Sequence, residues 1–99
     1  MKFSDLKFKT QSDFFMTIHR ACVNFPNGNG LSVVYGDYTY SDDGTYEVAP
    51  LHNDGLFTVE AWGNQVKGYL TAEEVEEILN HAENDSYEDY VKFLNTIAS

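Results

Sequence analysis

A chain of 99 residues is the length of one domain, and 42% hydrophobic with 15% aromatic content excludes a disordered one. The net charge of −10, with only six bases, argues against direct binding of nucleic acid and disfavours anionic membranes, since both need clustered Lys and Arg. Cys22 is alone, which excludes an intrachain disulfide, no apolar run follows Lys2 as a signal peptide requires, and no stretch approaches the roughly 20 apolar residues of a membrane span. A single cytoplasmic domain over residues 1–99 is expected.

In chain order, Met1 to Asp13 is polar with spaced Phe3, Leu6 and Phe8, and reads as a short helix or an edge strand. Phe14 to Phe25 fits a helical stripe through Phe14, Ile18, Ala21, Cys22 and Phe25. It also runs directly into Pro26-Asn27-Gly28-Asn29-Gly30, a hairpin signal, so a strand is predicted at least from Thr17 to Phe25. Asn27-Gly28 supplies the positive φ angles of a tight type I′ turn, and Leu31 to Tyr35 is the returning strand. Ser41-Asp42-Asp43-Gly44 and His52-Asn53-Asp54-Gly55 are turns bracketing a third strand, Thr45 to Leu51. Pro50 has no amide proton, so the end of that strand is expected at an edge or at its exit. Leu56 to Ala61 alternates as a half-buried fourth strand.

The period then changes to 3.6. Thr71-Ala72-Glu73-Glu74 has the form of a capping box, and Val75, Ile78, Leu79 and Ala82 follow at i, i+3, i+4 and i+7. Asn84-Asp85-Ser86 breaks this helix and caps a second, whose apolar face is Tyr87, Tyr90, Val91, Leu94 and Ile97. The expected fold is α+β, an antiparallel sheet of about four strands with two C-terminal helices.

Three segments resemble phrases that recur, in this order, in small proteins of tailed phages and prophages: Phe25 to Val34, Tyr46 to Leu51, and Val66 to Val75. That family is mostly uncharacterised. The resemblance implies a phage context in a host cytoplasm and carries over no catalytic residue. The chain departs from it at Val59 to Gln65, where Trp62-Gly63 replaces a more polar stretch, and in the helix from Asp85 onward.

Signs of chemistry are few. Gly28-Asn29-Gly30 lacks the third glycine and the following helix of a dinucleotide fingerprint. Aligned as a calcium loop, Asp42-Asp43-Gly44 puts Pro50 where the bidentate Glu belongs. His19, His52 and His81 show no metal-ligand spacing, so neither metal nor cofactor is expected. Cys22 reads as a small buried hydrophobe. Strand geometry argues against a catalytic pair with His19, since strand residues three apart face opposite sides.

Two surface features stand out. Eight of the sixteen carboxylates lie between Glu73 and Asp89 with no base among them, whereas the first twenty residues hold four of the six bases. On the first helix, Glu73, Glu74, Glu76, Glu77 and Glu83 face away from the apolar stripe. Glu73 and Glu77, at i and i+4, are spaced roughly as successive phosphates are. With Asp85, Glu88 and Asp89 they form a candidate surface for a basic partner, and the plain alternative is a solvated helix face. Tyr35, Tyr38, Tyr40 and Tyr46 gather around one hairpin, with Trp62 after the fourth strand. Tyr38, Tyr40 and Trp62 are candidate partner contacts, or simply stabilise a small sheet.

The expected function is non-enzymatic: an acidic phage-type accessory protein that binds a host protein with a basic surface. Its target would be a nucleic-acid-targeting defence enzyme, a CRISPR effector or restriction enzyme, whose groove it occupies as a DNA mimic. The other expectation is a small structural or scaffold protein that forms a homodimer or assembles through an aromatic sheet face.

Overall fold

Alternation of period two organises the first half of the chain in the computed structural model, which describes residues 1–97. Strands β1 (Lys9–Ser12), β2 (Thr17–Asn24), β3 (Asn29–Gly36), β4 (Tyr46–His52) and β5 (Gly55–Leu56) follow one another as an antiparallel meander. β6 (Lys67–Leu70) returns to pair with β4 beside β5. Helices α1 (Ala72–Asn84) and α2 (Tyr87–Thr96) come last. The α+β class is as expected, but the sheet has six strands where about four were predicted.

Strand parity fixes the layers. Ala21 and Val23 on β2 stand opposite Val33 and Leu31 on β3, which stand opposite Val48 and Pro50 on β4. This face meets Val75, Ile78, Leu79 and Ala82 of α1, all fully buried. Each large apolar side chain so placed stabilises the fold by about 1.5–3 kcal/mol. The capping box forms: Glu74 N donates to Thr71 Oγ1 at 3.2 Å, and Thr71 N to Glu74 Oε1 at 2.9 Å. Ser86 caps α2 through Asp89 N.

The N-terminal segment supplies both alternatives read from its sequence, a 3-10 turn at Phe3–Asp5 and the edge strand β1. Phe3 and Phe8 roof the part of the sheet beyond α1, against Tyr35 and Tyr46. His19 stacks on Tyr35 at 4.5 Å between ring centres and takes part in a 2.7 Å hydrogen bond with Thr10 Oγ1. Tyr35 and Tyr46 are thus half-buried in an aromatic cluster within the fold.

Four expectations are corrected. Cys22 is exposed, not buried, because Ala21 and Val23 take the inward positions and parity turns Cys22 to the open face. Pro50 is buried within β4, in the stretch between Val48, which pairs with β6, and Leu51, which pairs with β5. No partner on that side asks for its missing amide. The fourth strand shrinks to Gly55–Leu56, after which Val59 N bonds Asn64 O and Glu60–Trp62 forms a 3-10 turn ended by left-handed Gly63. β6 was hidden by Gly68 and by Tyr69, whose φ of 60° breaks regular strand geometry.

The fourth correction is the Asn27-Gly28 turn. Only Gly28 has positive φ there, 93°, and Gly28 N donates to Phe25 O while Phe25 N donates to Asn29 O. Pro26 fixes a negative φ, so the loop is a three-residue turn closed by a left-handed glycine. The type I′ geometry belongs instead to Asn53 and Asp54, with φ of 50° and 64°. Asn27 has another task. Its Nδ2 reaches Ala82 O, Glu83 O and Asp85 O at 2.8–3.2 Å. Asn29, fully buried, sends Nδ2 to Ala82 O and Asp85 O and presents Oδ1 to His52 Nδ1 at 3.0 Å. Carbonyls at the end of α1, which have no partner within the helix, are thereby satisfied from the sheet. Tyr90 of α2 completes the clamp, donating to Gly30 O at 2.7 Å.

Candidate functional site

The end of the sheet opposite this clamp is built differently. The β1–β2 hairpin turns through Phe14-Phe15 without a glycine, held by Asp13: its Oδ1 accepts from Phe15 N at 2.8 Å and Met16 N at 2.9 Å, and its own N–H donates to Met16 O. With the backbone pinned, both rings project into solvent. The β3–β4 connection leaves the sheet beside them. Asp37 bridges the two, its N–H donating to Thr17 O and its Oδ2 accepting from Thr17 N. This connection carries Tyr38 and Tyr40, and Tyr69 of β6 joins it through Tyr69 N to Tyr40 O at 2.9 Å.

Five of the large hydrophobic side chains most open to solvent therefore share one end: Phe14 at 100%, Phe15 at 84%, Tyr38 at 83%, Tyr40 at 59% and Tyr69 at 58% exposed. Tyr38 and Tyr69 also have φ of 58° and 60°. A bulky residue held in the left-handed region costs roughly 1–2 kcal/mol. Such strain persists only where the surrounding structure over-determines it. Asp13, Asp37, Asp42 and Asp43 lie on the same two connections. Asp42 is already engaged, Oδ1 accepting from Thr45 Oγ1 at 2.6 Å in a turn completed by left-handed Gly44.

Of the aromatic candidates, Tyr38 and Tyr40 stand at this end, in a connection and not on a sheet face. Trp62 does not join them: it is half-buried against the core and donates Nε1 to Ile97 O at 3.2 Å. Phe14 and Phe15 were missed from the sequence. The findable signal was Asp13, a residue that closes turns with its own side chain, placed just ahead of two phenylalanines.

The acidic candidates are divided. Glu73 and Glu77 are exposed on α1, and Glu88 and Asp89 on the first turn of α2. The others are drawn into the fold. Glu76 Oε1 accepts from Phe3 N at 2.7 Å, Glu83 pairs with the Met1 amino group, and Asp85 Oδ2 accepts from His81 Nδ1 at 2.7 Å. Glu74 is held in the capping box. The N-terminal segment thus lies across one flank of the acidic helix and leaves the Glu73–Glu77 pair open.

Among the described residues no group of three His, Cys, Asp or Glu side chains is placed to hold a metal ion, and no helix is long and apolar enough to cross a membrane. The three histidines are each engaged in the scaffold: His19 with Thr10 and Tyr35, His52 with Asn29 and Tyr87, His81 with Asp85 and Phe93. Compared with known protein families, curated proteins and solved structures, the chain shows no match.

Proposed function

We propose that the protein acts by binding another protein, without catalysis, and that its aromatic end is the docking surface. The observation that carries this is the clustering of Phe14, Phe15, Tyr38, Tyr40 and Tyr69, exposed, at the end of the sheet where the Phe14-Phe15 turn is pinned. Rigid aromatic side chains lose little entropy on docking and dominate interface energetics. The partner surface that fits is an apolar socket rimmed by bases, because Asp13, Asp37 and Asp43 stand near these rings in the chain. The phage-like phrases in the sequence support a host protein as partner, and a nucleic-acid-targeting defence enzyme has a surface of the required sign.

The second reading places the acidic helices in such an enzyme's groove, as a DNA mimic. Its support is the exposed i, i+4 pair Glu73 and Glu77, continued by Glu88 and Asp89. One titration separates the two. A partner captured from host lysate is titrated with the wild type, with Phe14→Ser/Phe15→Ser, and with Glu73→Lys/Glu77→Lys, at low and high salt. Each central aromatic anchor removed should weaken binding by about thirtyfold, with modest salt dependence. If the charge reversal alone abolishes binding, and affinity falls steeply with salt, mimicry replaces aromatic docking.

A further inference from the structure

On the open face of the sheet, turned away from the helices and running along the β1–β2 hairpin, lies a groove of about 310 Å³ whose lining includes Lys7, Lys9, Gln11, Ile18, Arg20 and Cys22. We infer that this groove is a binding site for a small soluble phosphate ester, of the size and charge of a nucleoside diphosphate.

The chain has sixteen carboxylates and six bases, yet three of those bases line this one groove and no carboxylate does. Among the described residues, none of the three is in an ion pair. Lys9 and Arg20 are direct cross-strand partners. Like charges directly opposite on one face destabilise a sheet, so this pair works against the hairpin that carries it. Lysine on an edge strand can serve to prevent edge-to-edge aggregation, which would account for Lys9. It does not account for Arg20, which sits on β2 between β1 and β3.

The geometry then selects the ligand. Directly paired residues place their Cβ atoms about 5 Å apart, close enough for one phosphate to meet both side chains. Arg offers a planar fork to phosphate oxygens and Lys a point charge. Lys7, farther along the same groove, provides for a second phosphate. Ile18 and Cys22 give an apolar stretch and Gln11 a hydrogen-bonding amide beside it. The volume is at the small end of ligand pockets, which excludes large ligands from full enclosure.

The test is a calorimetric titration of the full chain at low salt with ADP and with pyrophosphate, with adenosine as the uncharged control. ADP and pyrophosphate should saturate below about 1 mM, and adenosine should not bind. Arg20→Ala should weaken ADP at least about tenfold, whereas Lys92→Ala, on α2, should leave it unchanged. ADP should also slow alkylation of Cys22, the exposed thiol on the groove wall. Lys9→Thr should weaken ADP while raising Tm by about 2 °C or more, as relief of the like-charge pair requires. Absence of saturation at about ten times that concentration overturns the assignment. So does equal weakening by Lys92→Ala, which would mean diffuse charge, or a Tm that falls with Lys9→Thr. Capture by vesicles of anionic lipid without binding of soluble diphosphate also overturns it, making the face a membrane surface.

Discussion

The two ends of the sheet use the same residue types for opposite purposes. At one end, Asn27, Asn29, His52 and Tyr90 spend their polar groups on hydrogen bonds within the fold, and the helices are fastened to the sheet by side chains crossing from the β2–β3 turn. At the other, Phe14, Phe15, Tyr38 and Tyr40 point outward, and only the backbone beneath them is held. A tyrosine or an Asx residue in a turn therefore carries no fixed meaning. What decides is whether an element arrives to cover it. Both helices run their C-terminal and N-terminal ends, respectively, onto the clamp, and neither extends over the Phe14-Phe15 turn.

If the comparison is right, substitutions at the clamp should be severe and those at the aromatic end nearly silent for stability. The largest effect is expected from Asn29→Leu. It removes one of the two amides shared by Ala82 O and Asp85 O and leaves His52 Nδ1 without its partner, at a cost of about 2–3 kcal/mol, read as a lower urea midpoint with unchanged slope. A loss under about 1 kcal/mol would mean that Asn27 alone suffices and that the clamp is not shared.

Tyr90→Phe should come next, at about 1 kcal/mol, since one buried hydrogen bond to Gly30 O is lost while Gly30 stays paired with Leu51 in the ladder. Burial pushes the Tyr90 phenol above its usual range, as desolvation disfavours the phenolate. The folded value lies above the unfolded one, so this contribution is full below about pH 10 and is lost as pH rises beyond it. Alkaline melting curves should therefore be less steep in pH for Tyr90→Phe than for the wild type.

At the other end, Tyr38→Asn should stabilise the fold by about 0.5–1 kcal/mol, because Asn tolerates the left-handed region and no buried contact is lost. The same change should weaken partner binding, and a destabilised Tyr38→Asn would show that the ring supports the loop instead. Smallest of all, Phe14→Ser/Phe15→Ser should alter stability by less than about 0.5 kcal/mol while improving solubility.

Local rules carried much of this fold. The helix cap at Thr71, the stripe from Val75 to Ala82 and the strand into Pro26 were all legible, because each depends on neighbours within a few residues. What was illegible depended on distant partners or on parity. Cys22 was judged by residue type, when its position between inward Ala21 and Val23 decides its exposure. Asn27 and Asn29 read as turn residues because the carbonyls they satisfy lie more than fifty positions away. The acidic helix was read as one uniform face, and it took the fold to bring Phe3 N to Glu76 and Met1 to Glu83. Trp62 looked like an interface residue until α2 came to lie against it.

The meander has a kinetic consequence. From β1 to β5 every strand pairs with its predecessor, so the sheet closes through short loops, and such local pairings favour rapid folding. The Asn27–Asn29 bridge to α1 spans more than fifty residues and can form only after both β2–β3 and the helix exist. Interactions made after the transition state act on the rate of leaving the native state. Asn29→Leu should accordingly raise the unfolding arm of a chevron plot without changing its slope, with the refolding rate nearly that of the wild type. The residues that fasten helix to sheet would then set how long the folded molecule lasts, and the hairpins how quickly it is made.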